Sequence, residues 1–230
     1  MATKFSVTGD QHVSVDKKVF DIKRQLYSKN GSPLNPESVI SALQDIVEGK
    51  FRTSENLEAQ PSLLKLISNN ENLMIEASDG KAYIYDAKKT FRSFIDEDFK
   101  NWGLNKPGIA TPETLVKVDE IVSDGKFLDI FRALPGTWNQ KWFSQDQVIE
   151  FCETFSSWLR REGNTTMFLC KIDENKIIEE DKPQDNLVVV SVRVGSDGLR
   201  VYVYRLECVS VWYGEYRHRV VSPQLIPSVT

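Results

Sequence analysis

Apolar and polar positions alternate most regularly between Leu187 and Leu206. Successive side chains of a strand point to opposite faces, so Val188, Val190, Val192 and Val194 share one apolar face. Leu187, Val189, Ser191 and Arg193 share the other, which is mixed. Gly195-Ser196-Asp197-Gly198 supplies residues that tolerate positive φ, as a hairpin loop needs. A four-residue loop sets Val194 opposite Leu199, Val192 opposite Val201 and Val190 opposite Val203. The mixed face then carries Arg193 opposite Arg200, Ser191 opposite Tyr202 and Val189 opposite Tyr204. The pattern predicts an antiparallel hairpin with one face buried and the other half-wet. The sheet is expected to continue through residues 208–213 and, after a turn at Gly214-Glu215, through residues 216–221.

Upstream the period changes to that of helices. Val19, Phe20, Ile22, Leu26 and Tyr27 predict a helix over residues 15–28. Asn35-Pro36 marks a second start, with Val39, Ile40, Leu43, Ile46 and Val47 as its stripe. A short helix is expected from Pro61, a second hairpin over residues 73–77 and 81–86, and a short helix over 87–95. Two further helices are expected, one opened by Thr111-Pro112-Glu113 and one over Phe127 to Leu134. Ser144 and Gln147 form a capping-box signature ahead of Val148, Ile149, Phe151, Cys152, Phe155, Trp158 and Leu159. That stripe requires a large apolar partner, and the valine face of the hairpin suits it. Residues 165–171 read as a strand and the acidic stretch 172–185 as an exposed loop.

The expected class is α+β. A mostly helical region with a small β-hairpin spans residues 1–105. Helices packed on one face of an antiparallel sheet follow over 106–230, and the two parts are separable or continuous across the proline- and glycine-bearing stretch 103–112.

Composition narrows the function classes. The 230 residues are 40% hydrophobic and 27% charged, ordinary for a globular chain. A net charge of −4 gives no global attraction to nucleic acid or anionic membrane, so any such binding is local. No apolar run approaches the ~18 residues of a membrane span, and the start has no secretory h-region. Cys152, Cys170 and Cys208 have no metal-ligand spacing and read as reduced core residues of a cytoplasmic protein. Asp96-Glu97-Asp98 lacks the glycine and distal glutamate of a calcium loop and reads as a helix start or a solvated turn. No metal and no cofactor is expected.

Two groups of residues are candidate binding material. Trp138 and Trp142 sit in one loop, where paired indoles serve either as core cover or as a partner anchor. Arg193, Arg200, Tyr202, Tyr204, Arg217, His218 and Arg219 gather on or near the predicted sheet. Extended backbone at 216–219 would send Arg217 and Arg219 one way, to grip phosphate or carboxylate, and Tyr216 and His218 the other. His218 titrates near neutral pH in water and is a candidate acid or base.

Residues 158–160, 211–213 and 216–225, together with Phe99-Lys100-Asn101-Trp102-Gly103 and the opening Met1-Ala2-Thr3-Lys4-Phe5, resemble a family of hypothetical bacterial proteins of similar length. The resemblance implies a bacterial, cytosolic protein and brings no activity, ligand or site with it. The leading expectation is a non-enzymatic protein-interaction module that meets a protein partner through the tryptophan loop and the Tyr/Arg face. The alternatives are a nucleic-acid binder using that face and an enzyme on an anionic small molecule centred on His218.

Overall fold

The computed structural model describes residues 9–27, 35–47, 62–69 and 71–224. The chain divides into two compact units, Met1–Gln60 and Pro61–Thr230, and the stretch 103–112 lies inside the second. In the first unit α1 (Gly9–Leu26) begins earlier than the periodicity predicts. α2 (Pro36–Val47) begins where Asn35-Pro36 places it, with the Asn35 carbonyl accepting the Val39 N–H at 3.1 Å. The expected helix stops at 30–33 and 49, the loop at 52–60, and the residues beyond 224 lie outside the described residues.

The second unit is built on one sheet. Its strands are β1 (Leu64–Leu66), β2 (Leu73–Ile75), β3 (Phe94–Ile95), β4 (Thr114–Ile121), β5 (Thr165–Lys171), β6 (Leu187–Gly195), β7 (Gly198–Arg205) and β8 (Arg219–Pro223). Their order is β1-β4-β8-β5-β6-β7-β3, with β2 also on β4. The β6–β7 hairpin has the register expected from its loop: Val190 pairs with Val203, Val192 with Val201 and Arg193 with Arg200.

The architecture is α+β, but the sheet is mixed rather than antiparallel. β8 runs antiparallel to β4 and parallel to β5, and β3 runs parallel to β7. The parallel pair arises because the chain leaving β7 crosses to the far side of β5 before it pairs. Residues 208–213, expected as a strand, belong to that crossing. Trp212 is held there by an isolated bridge to Gly125.

Helices cover both faces rather than one. The first face carries Val188, Val190, Val192, Val201, Val203, Phe168 and Cys170, packed against Val148, Phe151, Cys152 and Leu159. Those residues come from α5 (Gln145–Thr154) and the turn after it, and the Ser144–Gln147 capping box is present. The stripe and the valine face therefore meet as their patterns require. The second face carries Met167, Leu169, Leu187, Val189 and Val220, covered by Phe127, Ile130 and Phe131 of α4 (Phe127–Ala133). β5 and β6 are apolar on both sides through their middle, so both sides must be kept from water.

Three helical expectations fail upstream. Leu64, Leu66 and the 114–121 segment are strands, because Val116 and Val118 alternate into the first face. Residues 73–75 pair with β4, while 84–86 form a 3-10 turn, so the expected hairpin is absent. Residues 87–95 end in β3 rather than in a helix. The Asp96 carboxylate, just ahead of the short α3 (Asp98–Asn101), accepts the Asp98 N–H at 3.1 Å.

Candidate functional site

The start of β5, the end of β6 and the start of β8 meet at one end of the sheet: Thr165 pairs with Arg193, and Thr166 with Arg219. The sheet changes character here. Met167 and Val189 give way, on the second face, to Thr165, Ser191, Arg193 and His218. The crossing loop closes over them. The Gly214 N–H donates to Asp124 Oδ1 at 2.9 Å, and Gly125 and Trp212 exchange backbone hydrogen bonds of 3.1 and 2.8 Å. These bonds place the Trp212 ring 5.0 Å from Phe127 and 5.1 Å from His218. A 3-10 turn, Gly214–Tyr216, and Arg217 in the left-handed region (φ 51°) then return the chain to β8.

His218 is buried, and its Nδ1 accepts the Thr165 N–H at 3.2 Å. A neutral ring so held carries its proton on Nε2. Burial first, and then the charges of Arg193 and Arg160, hold its pKa down to about 4. At neutral pH His218 is a fixed hydrogen-bond donor. It has no proton to give as an acid, and Nδ1 is occupied, so acid–base work near neutral pH does not fit its surroundings. Ser191 and Thr165 join their hydroxyls beneath it, and Thr165 Oγ1 also donates to the Val192 carbonyl at 3.1 Å.

Arg193 and Arg219 are held by rings rather than by carboxylates. The Arg193 guanidinium lies 5.1 Å from the Tyr202 ring centre. That of Arg219 lies 5.9 Å from Trp158 and donates to the Trp158 carbonyl at 2.8 Å. Arg160 is tied by its backbone N–H to Thr166 Oγ1 at 2.7 Å, and it pairs with the exposed Glu162 at 3.8 Å. The Nε atoms of Arg160, Arg193 and Arg219, and Nε1 of Trp212, are buried without an acceptor among the described residues. Among the described residues no carboxylate stands within salt-bridge distance of Arg193, Arg217 or Arg219. Burial lowers the pKa of Arg219; Glu120 opposes that and Arg160 adds to it.

Comparison with protein-family models, with curated proteins and with solved structures gives no match to this chain.

The remaining residues singled out from sequence are dispersed. Trp138 is buried in the second-face core with Lys141 Nζ 4.9 Å from its ring, and Trp142 packs on the same core. Trp138 is therefore core cover and not a surface anchor. Arg200, opposite Arg193 in the register, turns away to Asp197 at 3.2 Å and Ser93 at 3.1 Å, which relieves the like-charge pairing. Tyr204 is half-buried between Phe127 and Trp212, and Tyr202 stands 5.0 Å from Phe94. The open Tyr/Arg platform is thus not formed. Arg217 and Arg219 do not share a strand face either, since Arg217 precedes β8.

Arg160 and Trp212 were not anticipated from sequence as site residues. Only the fold brings Arg160 beside β8, through Thr166.

The larger clefts lie elsewhere. One of about 630 Å³ runs along α5 between Lys81, Tyr83 and Lys88 on one rim and Asp146, Glu150 and Glu153 on the other. Its carboxylates are engaged: Glu150 accepts the Glu76 N–H at 2.6 Å, Asp146 bonds Ser78, and Glu153 bonds Thr90. They fasten the 76–90 segment to the helix. Among the described residues no set of three His, Cys, Asp or Glu side chains is placed to hold a metal ion, and no helix is long and apolar enough to cross a membrane.

Proposed function

We propose that this protein binds an anionic group, a phosphate or a carboxylate, at the end of the sheet on the face that carries Arg193 and His218. One observation carries the reading: the Arg193 guanidinium is held over the Tyr202 ring and, among the described residues, lacks a carboxylate partner. Burial first, and then the neighbouring charges of Arg193 and Arg160, makes a positive charge on His218 costly. An anion relieves that cost and accepts donors that are otherwise idle. The function is binding rather than catalysis, because His218 is neutral with its Nδ1 already used.

Calorimetric titration with inorganic pyrophosphate at low ionic strength tests it. Binding that weakens at least tenfold in Arg193→Met and weakens with added salt is expected. No heat in the wild-type protein at millimolar ligand overturns the reading.

A protein partner is a second reading, favoured by one observation. The crossing loop exposes Val209 and Val211 beside Tyr213, apolar material suited to a protein contact. A Val209→Ser/Val211→Ser variant of unchanged stability should then lose partner binding while it keeps pyrophosphate affinity.

A further inference from the structure

The rings that continue outward from His218 say what else the anion carries. Tyr216 stands 5.8 Å from the His218 ring and 6.2 Å from Tyr213, the two tyrosines edge to face at 83°. Both are about half exposed, 47% for Tyr216 and 50% for Tyr213. Inward, Trp212, Tyr204 and Phe127 complete a file of rings that runs into the second-face core. The file is anchored by the Gly125–Trp212 bridge and by Asp124, so its outer members are set on a pinned loop. Arg217, exposed and without a carboxylate neighbour among the described residues, lies between Tyr216 and His218 in the chain.

We infer that the ligand is a nucleotide unit, with its phosphate at Arg193 and His218 and its base against the half-exposed ring of Tyr216. The inference rests on the anion-binding reading and adds the base to it. Two kinds of group stand side by side here: donors for an oxyanion and a half-exposed aromatic ring for a flat base. A nucleotide presents both in one molecule, and base–aromatic stacking is worth about 1–3 kcal/mol per base. A long duplex does not suit the site. The protein carries a net charge of −4, and the basic end is a single local cluster rather than a stripe along a groove. A free mononucleotide and one residue of a single strand share the recognised chemistry.

Titrations of the full chain with AMP, ribose 5-phosphate and a single-stranded oligouridylate, each at two salt concentrations, test the inference. Tyr216→Ala and Tyr216→Phe run beside the wild type. AMP or the oligonucleotide should bind at least tenfold more tightly than ribose 5-phosphate. Tyr216→Ala should abolish that advantage and Tyr216→Phe should keep it, with ribose 5-phosphate affinity unchanged in both. Stronger binding of AMP assigns the free nucleotide, and stronger binding of the oligonucleotide with a steeper salt dependence assigns a strand. Equal affinity for AMP and ribose 5-phosphate overturns the inference and leaves the anion site standing. No binding of any of the three overturns both.

Discussion

The backbone N–H of Thr165 donates to Nδ1 of His218 at 3.2 Å, joining the first residue of β5 to the residue just before β8. The bond fixes a tautomer and gives the ring a structural duty. It also sets a pH dependence. Above about pH 6.5 the imidazole is neutral in the folded and the unfolded chain. Between 6.5 and about 4 the unfolded chain takes up a proton that the folded protein refuses, so stability falls as the pH falls. The loss approaches roughly 3 kcal/mol below pH 4. Denaturant unfolding of wild type and His218→Gln across this range isolates the contribution. The variant keeps an acceptor for Thr165 and should lose that part of the slope. An imidazole that titrates at 6.5 by NMR would remove the argument.

Arg193 and His218 repel when both are charged, so each reports on the other. Arg193→Met should raise the His218 pKa toward its ordinary value, because the removed guanidinium is one of the two neighbouring charges that hold it down. Phosphate bound at this end should move it in the same direction in the wild-type protein. An NMR titration of the His218 ring reads both shifts. An unchanged pKa in Arg193→Met would mean that burial and Arg160 set it without Arg193.

Gly214 lets the crossing loop approach the connection between β4 and α4. A Cβ at this position would lie 2.6 Å from the Ser123 nitrogen and the Val122 carbonyl carbon, and backbone cannot swing aside as a side chain does. Gly214→Ala should cost about 1–3 kcal/mol of stability. It should also weaken pyrophosphate binding, since the displaced loop carries Trp212 and Tyr216. Unfolding and titration of the one variant check both effects. A variant as stable as wild type would show that the loop is not pinned there.

The hairpin and its register were legible because Gly195 to Gly198 leave little choice of loop and a one-residue slip would turn four valines to water. α5 was legible through its capping box and the stripe that follows it. β4 was not, because Leu115, Val116, Val118, Ile121 and Val122 fit a helical stripe as well as they fit a strand with charges at its solvent edges. The difference lies in β8, which arrives a hundred residues later to pair with it. The site was half legible for the same reason. Arg193, His218 and Arg219 stand out in the text of the chain, but Arg160 joins them only through the pairing of Thr166 with Arg219. The paired tryptophans left two readings open, since nothing local distinguishes an indole that covers a core from one that awaits a partner; the fold takes the first.

Ile177 and Ile178 are neighbours with opposite fates. Ile177 is 85% exposed, and Ile178, at 2%, is buried in the second-face core. Asn139 makes the choice between them. Its Oδ1 accepts the Ile178 N–H at 3.0 Å, and its Nδ2 donates to the Ile178 carbonyl at 2.8 Å, the reciprocal pair that a strand partner would offer. One side chain thus holds an otherwise acidic loop at a single depth. Ile178→Ala should cost about 2–5 kcal/mol, as a buried isoleucine truncation does. Ile177→Ala should stay within about 0.5 kcal/mol of wild type. Asn139→Ala removes both bonds and leaves an N–H and a carbonyl short of partners, at a cost of about 1–3 kcal/mol. The three variants, compared by denaturant unfolding, should rank Ile178→Ala at or above Asn139→Ala and both well above Ile177→Ala. Equal costs for the two isoleucines would mean that the loop samples both depths and that Asn139 does not fix it.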